Sequence, residues 1–269
     1  MGVLKVFRDL MSFLTTISPT KDVSFVETSA RFMFLFPVIA VLIGFLVGLY
    51  SLLAYNFLSF LFIFLNSTFF FGSQSTFFFY LTKVLASVMT LAFLFVLTGL
   101  QHLDGLVDVG NALGIAKASV EEKIKIAHAW IVTHSGAFMA ITVSLCTLLF
   151  IFLTKPEVIL QSLIVAETSA KLAMVTCAWQ GSSSQKGLGS IFLDSMNKRH
   201  SLYLISLIIS LVIGVLLLDL RGVLAVTLGI LVGGLMIVSS KRIFGGVNGD
   251  IFGATNEIAR TMALFALVL

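Results

Sequence analysis

The sequence predicts an all-α, polytopic membrane protein with about seven transmembrane helices, an interfacial helix at the N-terminus and an amphipathic helix in a cytoplasmic loop. Three observations predict it. Apolar residues make up 58% of the 269 and charged residues 11%, where a soluble globular chain carries about a quarter charged. Uncharged stretches of the ~20 residues needed to cross a bilayer recur along the chain. Lys and Arg gather in every second connection between them, the asymmetry that sets orientation. With only three prolines, two cysteines and 26 phenylalanines, a disordered, collagen-like or disulfide-stapled chain is excluded.

Taken in order, Val3, Leu4, Phe7, Leu10, Met11 and Leu14 recur at three-to-four spacing beside Lys5, Arg8 and Asp9. This is the pattern of a helix lying in the membrane interface. It lacks the unbroken apolar core of a cleaved signal peptide and ends at Pro19-Thr20-Lys21-Asp22. No charge falls between Phe32 and Thr82, so one span is expected at 33–57 and a second from about 76, with a polar kink from Asn66 to Thr76 between them. Further spans are expected at 136–154, 157–178, 201–219, 222–240 and 251–269.

In this arrangement Lys5, Arg8, Lys21 and Arg31 share a side with Lys117, Lys123, Lys125, Lys186, Lys198, Arg199, Lys241 and Arg242. Only Lys155 and Arg221 lie opposite. The positive-inside rule therefore places the N-terminus and the long charged loops in the cytoplasm of a multi-pass cell-membrane protein. Within the loop at 101–135, Ser119 and Glu122 form a capping box, Glu121 and Lys125 an i,i+4 pair, and Val120, Ile124, Ala127 and Ile131 an apolar face. A short helix against the bundle or the headgroups is expected there. No internal repeat is evident, and the chain reads as a single domain, 1–269. Cys146 and Cys177 sit in apolar stretches without CxxC or histidine spacing and read as small buried hydrophobes. The modest net charge of +4 gives no support to a nucleic-acid partner.

Chemistry concentrates directly after the second span, in His102, Asp104, Asp108 and Asn111 among Gly105, Gly110 and Gly114. At 100° per residue, Asp104, Asp108 and Asn111 fall within about 60° of one another on a helix. Two carboxylates four apart repel, more at a membrane boundary than in water, and a cation between them removes that cost. Oxygen donors without thiolate or paired histidine suit Mg²⁺, or Mn²⁺, and Mg²⁺ completes its octahedron with water and phosphate oxygens. The plain alternative is a helix end whose acids point into water. His102 is either a partner of that site or an ordinary interfacial histidine.

A second cluster has four glycines in the nine residues from Gly245 to Gly253, with Asn248 and Asp250 among them and Glu257 beyond. Such a backbone can wrap an anion. Asp250 and Glu257, seven apart, share a helix face at or inside the membrane, where a carboxylate is expensive and usually functional. A glycine turn followed by a packing seam is the alternative. The loop at 181–190 is polar, flexible and carries Lys186. Glu167 and Lys171 are spaced to neutralise each other within the bundle.

Together these segments resemble the cobalamin synthase family, also called adenosylcobinamide-GDP ribazoletransferase or cobalamin 5'-phosphate synthase. The specific features are His102-Leu103-Asp104-Gly105-Leu106-Val107-Asp108 followed by Gly245-Gly246-Val247-Asn248-Gly249-Asp250 with Gly253-Ala254 and Glu257. Phe13-Leu14-Thr15, Phe36-Pro37, Ser135-Gly136-Ala137-Phe138 and Gly187-Leu188-Gly189-Ser190-Ile191-Phe192 extend the likeness over most of the chain. The sequence departs from the family pattern at Asn111, where a third aspartate is usual. It departs again at Val132-Thr133-His134, where Asp-x-Arg is common, and at Lys171, where arginine is expected.

The resemblance implies a transferase that joins adenosylcobinamide-GDP with α-ribazole or α-ribazole 5'-phosphate at the cytoplasmic membrane face. The products are adenosylcobalamin or its 5'-phosphate, with GMP leaving. Such a transfer needs alignment and cationic stabilisation more than covalent help from protein. Asp104, Asp108 and Asn111 are then the expected ligands of Mg²⁺, with Mn²⁺ as the substitute. Asp250, Glu257 and His102 are the expected catalytic groups, and His134, Lys171, Lys186 and Asn248 the expected substrate contacts. Two other readings stay open at this point. A membrane phosphotransferase acting on an activated lipid alcohol would use similar metal chemistry, although its longer aspartate signature is missing. An ion-coupled transporter is suggested by Glu167, Lys171 and Glu257 within apolar segments.

Overall fold

The computed structural model describes residues 2–17, 24–69, 75–115, 117–129, 131–183 and 186–269, and among them the regular structure is entirely helical. In chain order the helices are α1 (Val3–Leu14), α2 (Ser24–Arg31), α3 (Phe36–Phe69), α4 (Ser75–Thr98), α5 (Gln101–Leu113), α6 (Val120–Ala127), α7 (His134–Leu153), α8 (Ile159–Gln180), α9 (Leu188–Met196), α10 (His200–Ile243) and α11 (Gly249–Val268). Six of them, α3, α4, α7, α8, α10 and α11, are long and apolar enough to cross a membrane. The chain is a multi-pass helical membrane protein.

The 44 residues of α10 would extend about twice the ~30 Å hydrocarbon core if they ran straight. They do not: Leu218 (φ −143°, ψ 23°) and Asp219 (φ 49°, ψ −131°) leave the helical region. A Cβ added to Gly222 would lie 2.0 Å from the Gly214 carbonyl oxygen. Residues eight apart in a helix are ~12 Å distant, so this contact requires the chain to turn back. The two halves correspond to the spans expected at 201–219 and 222–240. Aspartate is among the side chains that tolerate positive φ, and glycine at 214 and 222 lets the two arms close almost without a linker.

α3 departs from expectation by continuing to Phe69. Phe57, Phe60, Ile63 and Phe64 extend its exposed apolar surface, and in lipid the backbone has no partner for its polar groups except the helix itself. The kink expected at Asn66–Thr76 lies partly outside the described residues; 66–69 are helical. The stripe on α1 divides. Leu10, Met11 and Leu14 are buried in the protein, whereas Val3, Leu4 and Phe7 remain exposed beside Lys5 and Arg8.

α8 is the enclosed centre, packed against α3, α10 and α11. Helices in lipid gain little by covering apolar surface with more apolar surface, so close backbone approach decides which of them associate. Gly44 and Gly48 of α3 meet Ile164 and Leu160, and Gly229 and Gly233 of α10 meet Ser169 and Ala173; a Cβ at any of the four would come within 2.8 Å of α8. The hydroxyls of Thr168, Ser169 and Thr176 donate to carbonyls one turn earlier in α8, which satisfies them without water.

Candidate active site

Gly99 (φ 72°) and Leu100 (φ 61°) both adopt the left-handed conformation, so α4 stops and α5 starts in a new direction. α5 then lies on α11. A Cβ at Gly105 would stand 2.8 Å from the Asp250 carbonyl oxygen, and one at Gly253 would stand 3.0 Å from the His102 carbonyl oxygen. Because glycine occupies both sides of the contact, the two backbones touch and their flanking acids share one cleft. That cleft, about 500 Å³, is lined by Asp104, Val107, Asp108, Ala127, His128, Ile131, Val132 and Asp250.

Asp250 sits in the first turn of α11, where the helix dipole favours an anion. Asn248 caps that turn: its Oδ1 accepts from the Ile251 N–H at 2.9 Å and its Nδ2 donates to Asp250 Oδ2 at 2.8 Å. From the opposite side His128 Nε2 lies 3.0 Å from the same Oδ2. His128 is the residue at which α6 ends. That helix begins at the expected capping box, with the Glu122 N–H donating to Ser119 Oγ (3.2 Å) and the Ser119 N–H to Glu122 Oε2 (2.8 Å). One ligand atom each from Asp108, His128 and Asp250 lie within 4.8 Å of one another. Burial first, then the carboxylates of Asp250 and Asp104, push the Asp108 carboxyl up to about 6, with His128 acting in the opposite sense. Crowded acids of this kind are relieved by a divalent cation.

Several expected site residues lie elsewhere. Asn111 is fully buried. Its Oδ1 accepts from the Thr133 N–H (3.0 Å) and hydroxyl (2.8 Å), and its Nδ2 donates to the Ile131 carbonyl (2.9 Å). With the amide engaged on these partners, Asn111, expected as a metal ligand, ties the segment 131–133 to α5 and does not line the cleft. Helical spacing put it near the face of the two aspartates, but spacing does not show that a neighbouring segment claims the side chain.

Glu257 and Lys171 belong to a charge network inside the bundle. Arg260 donates through Nε to Glu167 Oε1 and through Nη1 to Glu257 Oε2 (2.5 Å). Lys171 Nζ donates to Asn256 Oδ1 (2.6 Å) and Glu167 Oε2 (3.4 Å), and Asn256 Nδ2 to Glu257 Oε1 (3.1 Å). Two cations and two carboxylates neutralise one another, none more than 3% exposed. The Glu167–Lys171 pairing matches expectation. Glu257 and Lys171, expected as a catalytic group and a substrate contact, are held in this buried network and do not line the cleft.

His102, expected as a catalytic group, is buried and does not line the cleft. Burial, then the Lys171 and Arg260 cations, hold its pKa well below the usual imidazole value. His134 is exposed in the first turn of α7 and lines a separate apolar groove with Gly110, Leu113 and Phe138, so the contact expected of it falls outside the cleft. Lys186 is exposed on a loop joined to the Asn248 turn by the Val247 N–H, which donates to the Ser182 carbonyl at 2.8 Å; it does not line the cleft either. Asn248 touches the cluster directly.

His128 is the site residue that sequence spacing missed. The capping box marks where α6 begins, and eight helical residues later the chain delivers the imidazole. Placing the apolar face that includes the buried Ala127 against the bundle, one of the two settings open to that face, would have pointed to His128.

A family model described as Cobalamin-5-phosphate synthase matches residues 63–268, a range that includes every residue of the cleft. The chain is similar to proteins named adenosylcobinamide-GDP ribazoletransferase. It is 37% identical to one from Methanocella arvoryzae over 199 residues, 66% of this chain and 72% of the relative. It is 27% identical to one from Methanococcoides burtonii over 278 residues, 100% of this chain and 93% of the relative. A third, from Thermococcus kodakarensis, is 34% identical over 191 residues, 70% of this chain and 80% of the relative. No solved structure matches it.

Proposed function

The chain belongs to the cobalamin-5-phosphate synthase family, and on that premise we propose that it joins adenosylcobinamide-GDP to α-ribazole or α-ribazole 5'-phosphate. The product is adenosylcobalamin or its 5'-phosphate, with release of GMP. The enzyme is a transferase, and its cleft opens to the cytoplasm of the cell membrane, on the side where Lys and Arg accumulate. The observation that carries this reading is the convergence of Asp104 and Asp108 from α5 with Asp250 from α11 on one cleft.

Carboxylate oxygens without thiolate suit a hard divalent cation, Mg²⁺ or in its place Mn²⁺, and Asp104, Asp108 and Asp250 are the groups to hold it. When bound, the ion neutralises diphosphate charge and the charge that develops on transfer. The chain's own residues do the rest. The Gly105–Gly253 contact fixes the distance between the two acidic flanks, and the Asn248 cap orients Asp250. Asn248 Nδ2 and His128 Nε2 both approach Oδ2 of that carboxylate, which leaves Oδ1 to accept the proton of the attacking hydroxyl. The hydroxyl oxygen bonds to the cobinamide-linked phosphorus, the bond from that phosphorus to the GMP oxygen breaks, and GMP departs with the electron pair.

The test is turnover by the purified full chain in detergent or liposomes with adenosylcobinamide-GDP, α-ribazole and Mg²⁺. GMP and a new corrinoid are expected, and excess EDTA is expected to stop both. Absence of product together with substrate uptake into the liposomes would replace this reading with a carrier.

A further inference from the structure

We infer that His128 is a nitrogen ligand in the metal site of this cleft. With Asp108 and Asp250 it forms a mixed nitrogen–oxygen donor set that favours Mn²⁺ over Mg²⁺. The inference rests on the cleft being a divalent-cation site and adds a ligand and a metal preference to it.

Three elements that are distant in sequence deliver the three donors: the middle of α5, the end of α6 and the first turn of α11. Their ligand atoms lie within 4.8 Å of one another, and His128 Nε2 is 3.0 Å from Asp250 Oδ2. Around an octahedral ion with bonds of ~2.1 Å, neighbouring donors are ~3.0 Å apart and opposite ones ~4.2 Å apart. The 3.0 Å between His128 Nε2 and Asp250 Oδ2 is therefore the spacing of neighbouring donors in one coordination shell, with a ligand oxygen of Asp108 within 4.8 Å of both.

The imidazole is half exposed, so core packing does not account for a histidine here, while the helix that presents it is anchored at several points. The capping box fixes its start. Ala127, next to the histidine, is 2% exposed, and the Lys123 ammonium donates to the Arg242 carbonyl at 3.2 Å. A neutral imidazole offers one lone pair through either ring nitrogen. Nitrogen donors raise affinity along the first-row series, starting at Mn²⁺, while Mg²⁺ keeps its preference for oxygen.

A hydrogen bond from His128 to Asp250 without any metal contact is the competing account, and spectroscopy separates the two. The full chain in detergent, prepared with natural-abundance or ¹⁵N-histidine, is loaded with Mn²⁺ in the absence of substrate and measured by pulsed EPR. A directly bound nitrogen coupling that changes isotope with the label is expected, and it should vanish in His128→Ala. The Mn²⁺ Kd of that variant is expected to rise by at least about tenfold, with a smaller change for Mg²⁺. Bound Mn²⁺ without nitrogen coupling, an unaltered Kd in the variant, or no Mn²⁺ binding by the wild-type chain would each overturn the inference. The wild-type spectrum decides even if the variant misfolds. Nitrogen coupling in a chain that forms no corrinoid product would remove the transferase reading alone.

Discussion

Gly105 and Asp250 meet backbone to backbone: a methyl group on the glycine would stand 2.8 Å from the Asp250 carbonyl oxygen and 3.0 Å from its Cα. Neither neighbour can swing aside as a side-chain tip would. The separation of the carboxylates on α5 from the one on α11 is therefore set by the absence of a single carbon.

Gly105→Ala is accordingly expected to push α5 off α11 while the rest of the bundle stays folded. A displacement on the order of 1 Å at a reacting centre costs about 100-fold in rate. GMP release should fall by that order with a near-native thermal melt in detergent. Full activity in this variant would show that the helix contact does not set the site.

Asp104→Ala and Asp108→Ala are each expected to abolish turnover, by about 100-fold or more, and to leave monodisperse protein in the membrane fraction. Near-normal GMP release from either would remove its carboxylate from the metal assignment.

Asn111→Ala separates a structural tether from a ligand. Losing a buried amide that holds the segment 131–133 should cost about 1–3 kcal/mol of stability, seen as a lower melting temperature. Divalent-ion affinity by calorimetry should stay close to wild type. A collapse of affinity comparable to that of Asp108→Ala would assign Asn111 to the ion.

Arg260→Leu leaves Glu167 and Glu257 without their shared guanidinium. Breaking a buried ion network by removing one partner costs about 3–5 kcal/mol, so little folded protein should survive extraction. Adding Glu167→Gln removes one stranded charge and should recover part of the loss. If the double variant melts no higher than the single one, charge balance is not what holds this region together.

Orientation is open to cysteine labelling. In a background with Cys146 and Cys177 replaced by alanine, Lys186→Cys should react with an impermeant maleimide only from the cytoplasmic side, and Asp219→Cys only from the outside. Both positions are exposed. The reverse pattern would invert the assigned topology.

Much of this protein is decided by local chemistry that needs no neighbours. Apolar run length sets which segments cross the bilayer, and the capping box at Ser119 and Glu122 starts α6 where sequence expects it. The i,i+4 spacing of Glu167 and Lys171 makes their pairing legible in the same way, as does the glycine-rich turn before Asp250. The order of the two motifs also points to the family on its own.

The tertiary structure decided the questions of who faces whom. Asn111 and Glu257 carry the right chemistry at the right helical angle, yet Thr133 claims the first and Arg260 the second. His128 lies 122 residues from Asp250 and reaches it only because glycines let α5 touch α11 and α6 rests on α5. Periodicity describes one helix at a time, so it identifies which side chains share a face. Which element approaches that face, and how closely, depends on the backbone contacts between helices.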